Sequence, residues 1–194
     1  MAAAGLYLPS REFAHAGHEL TQTILRSKVS REHDPLLARL LAATAMRHFP
    51  DFAPDLVVSV PAAPGREDRF RHIRGELAGR IGAADAGSAL RQTRVVAEYR
   101  RMSIAQRWAV AEGRCCAGEW VRGKSILLID DVVTSGAQAG EAIRALAEAG
   151  AADVRFACVA RTLGGAGLRQ LGADGSLIVA RTGSVVPASH TITL

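Results

Sequence analysis

Two adjacent carboxylates, Asp130 and Asp131, follow a short apolar run of Ile126, Leu127, Leu128 and Ile129, and stand just ahead of Thr134, Ser135, Gly136, Ala137 and Gln138. The apolar run is the pattern of a strand buried on both faces of a parallel sheet. The acids are too polar to continue such a strand, so the expectation is that they stand at its carboxyl end, where open α/β sheets bind ligands. The five residues from Thr134 to Gln138 are mostly small and lead into a helical pattern. Backbone N–H groups at such a helix start can point at a phosphate, and the helix dipole adds to the attraction. Taken singly, each part reads as a turn, a cap or a solvated acid. The uninterrupted order of buried strand, acids, hydroxyl and glycine loop, and helix is what points to an anion site.

Two further stretches carry charge suited to an anionic ligand. Pro61, Ala62, Ala63, Pro64 and Gly65 form a turn of small residues, after which Arg66, Arg69, Arg71, His72 and Arg74 are interleaved with Glu67 and Asp68. Downstream, Arg91, Arg94, Arg100, Arg101 and Arg107 flank Tyr99 and Trp108. Interleaved arginines and aromatics can bind nucleic acid by stacking and phosphate contacts. His15 and His18 lack a third metal ligand nearby. Cys115, Cys116 and Cys158 suit neither a disulfide framework nor a zinc knuckle and read as reduced.

Positioning these groups requires a parallel sheet. Residues 55–60 read as a first central strand that Pro61 ends, and residues 153–160 as the strand that completes a βαβ unit with the acidic strand. The intervening helix over 137–149 has a stripe of Ile143, Leu146 and Ala147, with Gly150 past its end. Upstream, 11–25 is loosely amphipathic. A firmer helix begins with Asp34 as cap and Pro35 at the first position and continues through Leu36, Leu37, Leu40, Leu41 and Ala45. A helix ending near Gly82, a strand or strand-like arm over 90–96, a packing role for Trp120 and a further strand at 176–180 complete the reading.

A chain of 194 residues can bury its own core as one domain. Its net charge of +5 comes almost entirely from arginine, the side chain suited to bidentate phosphate contacts. No stretch reaches the length of a transmembrane helix, and the start lacks a basic region followed by an apolar core, so a cytoplasmic location without membrane contact is expected.

Residues 125–138 resemble the phosphoribosyl pyrophosphate (PRPP) motif of the type I phosphoribosyltransferases. Val60-Pro61, Arg74-Gly75, the leucine and lysine stretch ending at Lys28, and Ser103 to Arg107 resemble the ComF-like branch. The resemblance runs over roughly 20–162 and implies a single α/β domain over 1–194, with a central mostly parallel sheet flanked by helices. Within it, 1–50 would be a helical arm, 55–162 the core and 163–194 an extension. It further implies that Asp130 and Asp131 hold the ribose hydroxyls, directly or through Mg²⁺, and that the backbone from Thr134 to Gln138 fixes the 5′-phosphate. Pro61, Ala62 and Ala63 would meet the pyrophosphate, with Arg94 and Arg107 closing over it.

The implied reaction transfers the phosphoribosyl group to a nitrogen acceptor and releases pyrophosphate. Thr134 replaces the acid of purine-salvage members and Gln138 a small hydroxyl residue, which turns the expectation away from a purine acceptor. A PRPP- or nucleotide-binding regulator and an accessory protein in DNA uptake are the alternatives. Members with the latter association carry an N-terminal four-cysteine zinc ribbon that the cysteines here do not supply. Homo-oligomerisation stays open.

Overall fold

The computed structural model describes residues 1–7, 17–29 and 35–162. In chain order these form β1 (Ala2–Tyr7), α1 (Glu19–Val29), α2 (Pro35–His48), β2 (Leu56–Ser59), α3 (Arg71–Ile81), β3 (Ala84–Asp85), β4 (Leu90–Gln92), α4 (Ile104–Ala111), β5 (Cys115–Ala117), β6 (Ser125–Val133), α5 (Ala137–Glu148) and β7 (Asp153–Thr162). The Asp34 cap, His15 and the strand at 176–180 lie outside the described residues.

Five strands make one sheet in the order β1-β7-β6-β2-β3, and every pairing is parallel. Alternation along the strands divides the core into two faces. Ile126 and Leu128 of β6 pack with Ala142, Ile143 and Leu146 of α5. Leu127 and Ile129 pack on the other face with Ile24 of α1, Leu37 and Leu41 of α2, and Ile73 and Leu77 of α3. This is the helix-flanked, mostly parallel α/β domain expected from the sequence.

The order of the strands decides where a ligand fits. From β2 the chain crosses by α3 to β3 on one side, and from β6 it crosses by α5 to β7 on the other. The neighbours β2 and β6 therefore form the topological switch point, and a crevice opens beyond their carboxyl ends.

Several local expectations change. The strand read over 90–96 is confined to Leu90–Gln92, paired antiparallel with Cys115–Ala117 as a separate ribbon. Ser103 begins α4 with a capping box, its hydroxyl accepting from Gln106 N–H while the Gln106 side chain accepts from Ser103 N–H. Trp120, 50 % exposed, packs at the surface against Gly118, where an added Cβ would stand 2.7 Å from its Nε1. Trp108 packs as well, its ring lying over Gly136 and Gly140. Among the described residues no helix is long and apolar enough to cross a membrane.

Candidate active site at the switch point

The strand β6 does not stop at the acids. It continues through Asp130 and Asp131 to Val133, because β7 still pairs with it there, through Asp130 with Cys158 and Val132 with Ala160. On the opposite edge the paired residues of β2 end at Ser59 with Ile129. The acids are thus strand residues bordered on one side only, both buried. They do stand near its carboxyl end, but the expectation that they are too polar to continue the strand is corrected, because half a ladder persists through them.

Successive strand residues face opposite ways, so the two acids meet different surroundings. Asp131, on the α1 side, forms ion pairs through Oδ2 with Lys28 Nζ and Arg69 Nη2, each at 2.9 Å. Its Oδ1 accepts from Val132 N–H at 2.7 Å. Burial acts to raise its pKa, but Lys28, Arg69 and the Val132 N–H outweigh it and hold the carboxyl below its ordinary value. Asp130 forms no ion pair among the described residues, and the charge of Arg69 acts on it only as a smaller opposing effect. Burial first, then the negative charge of Asp131, push it well above the ordinary carboxylate range, although its Oδ1 accepts from Asp131 N–H at 2.8 Å.

The loop after β6 enters α5 through Gly136, whose φ of +75° is the left-handed conformation that glycine adopts without a side-chain clash. Gly136 offers no capping side chain, and Ala137 N–H meets Ser135 Oγ only at 3.4 Å. The first N–H groups of this 12-residue helix therefore lack a side-chain cap, the arrangement that suits an anion. Thr134 is exposed, and its hydroxyl pairs with that of Thr162 on β7 at 2.8 Å.

Across the crevice, residues 61–70 form the loop after β2. A turn closes from Arg66 N–H to Ala63 C=O at 3.0 Å, with Pro64 followed by Gly65 at a φ of +76°. The carbonyl of Pro61 accepts from Gln92 Nε2 at 3.0 Å, and Gln92 Oε1 accepts from the buried Arg114 at 3.0 Å. The β4–β5 ribbon thereby fixes the start of the loop.

Its end is held by Arg74, a buried cation that donates to Ser59 Oγ at 2.9 Å and Asp68 Oδ2 at 2.7 Å and pairs with Asp85. Gly87 backs this cluster so closely that a Cβ there would stand 2.0 Å from Arg74 Nη2. We expect Gly87→Ala to push Arg74 off its partners and cost about 2–3 kcal/mol, below the ~3–5 kcal/mol of a fully buried pair because Asp68 is half exposed. An unchanged urea midpoint for that variant would contradict this account.

The sequence-derived groups therefore fall into two sets. Asp130, Asp131, the residues Thr134, Ser135, Gly136, Ala137 and Gln138, and the loop carrying Pro61, Ala62 and Ala63 converge on the two neighbouring strand ends. Arg94 instead donates to the carbonyls of Val110 at 3.4 Å and Glu112 at 3.0 Å, at the end of α4. Arg107 donates to Met102 C=O at 3.1 Å and lies over the Tyr99 ring at 5.6 Å.

Lys28, Arg69 and Gln92 join the site without having been assigned to it from sequence. The leucine and lysine stretch gave Lys28 a signal and the charged loop after Gly65 gave Arg69 one, while nothing local marked Gln92.

The carboxylate oxygens of Asp130 and Asp131 are the hard donors that Mg²⁺ takes. Asp131 Oδ2 is already paired with Lys28 and Arg69, so an ion bound there would have to displace them. Among the described residues no three His, Cys, Asp or Glu side chains gather as a metal cluster. An ion there would complete its shell with water and ligand oxygens, the usual arrangement for Mg²⁺ beside phosphates.

A family model described as phosphoribosyl transferase domain matches residues 77–175, just over half of the chain. Among solved structures, a phosphoribosylpyrophosphate synthetase from Mycobacterium smegmatis is similar at 22 % identity and a TM-score of 0.44, over 69 % of this chain and 36 % of its own. A glutamine PRPP amidotransferase from B. subtilis is similar at 22 % identity and a TM-score of 0.42, over 62 % and 26 %. An adenine phosphoribosyltransferase from Saccharomyces cerevisiae is similar at 15 % identity and a TM-score of 0.44, over 67 % and 70 %. The chain thus spans about a third or less of the first two proteins. No curated protein matches it.

Proposed function

The chain belongs to the phosphoribosyl transferase domain family, and from that premise we propose that it binds PRPP with Mg²⁺ at the β2/β6 switch point and transfers the phosphoribosyl group to a nitrogen acceptor, releasing pyrophosphate. The observation that carries this reading is the pair of buried acids at the end of β6, followed after a short loop by the uncapped start of α5. A ligand with vicinal hydroxyls beside one phosphate matches that sequence of groups.

In this reading Asp130 and Asp131 hold the ribose hydroxyls and place negative charge near the sugar as its ring becomes cationic. The backbone from Thr134 to Gln138 fixes the 5′-phosphate, and Pro61, Ala62 and Ala63 face the pyrophosphate. Asp130 and Asp131 would hold Mg²⁺, which when bound would supply charge neutralisation for the leaving group. Thr134, turned to Thr162, presents no carboxylate near an acceptor, which supports a non-purine nitrogen compound. The ComF-like branch remains our assignment within the family, and the cell interior its expected location.

The test is a pyrophosphate-release screen over nitrogen acceptors, run with PRPP and Mg²⁺. Release with one acceptor establishes a transferase. PRPP binding without release for any acceptor favours the regulatory reading, and no PRPP binding removes both.

A further inference from the structure

We propose that Arg114 is a positioning residue that holds the loop after β2 and the loop after β6 at one spacing, so that a ligand spanning the crevice meets both at once; the inference rests on the PRPP reading above. Arg114 stands just ahead of β5, and its side chain is buried. No carboxylate pairs with it among the described residues. It reaches toward the two loops instead. On one side its Nη2 donates to Gln92 Oε1 at 3.0 Å, and Gln92 Nε2 donates to the Pro61 carbonyl at 3.0 Å. On the other its guanidinium lies 5.2 Å from the centre of the Tyr99 ring, whose hydroxyl interacts with that of Ser135.

The cluster is not arranged for stability. The Tyr99 and Ser135 hydroxyls fall short of full hydrogen-bond geometry, which leaves the buried Tyr99 hydroxyl unsatisfied, as is Arg114 Nε. Two orphaned polar atoms around one buried cation are a cost of the kind kept where placement serves a site rather than the core. The backbone of Arg114 is meanwhile firmly held. Its carbonyl accepts from Thr93 N–H at 2.7 Å, and the next N–H, that of Cys115, donates to the buried Glu141 of α5 at 2.9 Å. The guanidinium is thus anchored to the helix whose start is assigned to the 5′-phosphate, and reaches from there to the loop assigned to the pyrophosphate.

A ligand that touches both loops gains from its second contact only if the spacing fits, whereas a fragment that touches one loop does not depend on the spacing. Calorimetry in Mg²⁺ reads that difference with three probes: PRPP, ribose 5-phosphate and pyrophosphate. Arg114→Met should weaken PRPP by about tenfold or more while each fragment stays within about threefold of wild type. Gln92→Met, which cuts the link on the Pro61 side alone, should do the same. The double variant should lose no more than the weaker-binding single one, because both cut one chain of contacts.

PRPP affinity unchanged in either single variant, or losses that add in the double variant, overturns the inference and leaves the PRPP reading standing. Equal loss of all three probes marks general damage or a bare charge effect and overturns it too. Should Arg114→Met fail to fold, Gln92→Met, at a half-buried residue, decides the matter by the same comparison. A wild-type protein that binds none of the three probes removes the PRPP reading, and this inference with it.

Discussion

Asp131→Asn is expected to lower affinity for PRPP in the presence of Mg²⁺ by about an order of magnitude or more, the size of one or two lost charge-assisted contacts of ~1.5–3 kcal/mol each. The substitution keeps the size and an acceptor for Val132 N–H but removes the charge that faces Lys28 and Arg69. It should also destabilise the fold by about 1–2 kcal/mol. That is less than the ~3–5 kcal/mol of breaking a fully buried pair, because water reaches both cations and screens them. Calorimetry giving equal affinity for variant and wild type would remove Asp131 from the binding site, and a denaturant melt separates loss of binding from loss of fold.

The neighbouring substitution, Asp130→Asn, is expected to raise stability while lowering affinity. Asp130 is the acid whose pKa stands well above its ordinary value, through burial and the charge of Asp131. Its protonated form therefore favours folding fully below the unfolded pKa of about 4, and this contribution is lost as pH rises through the raised folded value. Above that value, folding must bury a second negative charge beside the first.

Asparagine carries no charge and retains an acceptor for Asp131 N–H. A gain of ~0.5–2 kcal/mol is the usual size of a stabilising change and corresponds to a few degrees in Tm. The gain should be largest at pH 8 and shrink toward pH 4. Asp131 has the opposite sign: its folded value is depressed, so its contribution is present above about pH 4 and lost as pH falls through the depressed value. A variant no more stable than wild type at pH 8 would contradict the assignment of the raised value to Asp130.

The two acids show what can be read from a sequence and what cannot. Their place beside an apolar run was legible because four consecutive aliphatic residues have few other uses. Their different environments were not, since alternation along β6 matters only once α1 and the loop after β2 have been placed. Lys28, Arg69 and Asp131 meet across separations that no local pattern records.

The same contrast holds for whole elements. Pro35 and the leucines of α2, and the stripe of α5, carry the helical period plainly. In β1, by contrast, AAAGLY has little strand propensity, and the segment is extended because β7 pairs with it. Gly5 allows α1 close approach, since a Cβ there would meet Leu20 at 2.6 Å. The short strands β3 and β5 are likewise products of their partners, and the arm over 93–103 has no repeat to read.

The pairing of β1 with β7 also orders the assembly of the protein in time. Ala2 aligns with Ala157, almost the full described length away, whereas β6, α5 and β7 are contiguous in the chain. Closing a long loop costs entropy before any contact repays it. The strand carrying the acids can therefore gain its β7 neighbour early through a local crossover, while the first strand joins an edge that must already exist. Local contacts thus favour the β6–β7 half of the crevice, and β1 can pair only with a β7 edge that the rest of the sheet supplies.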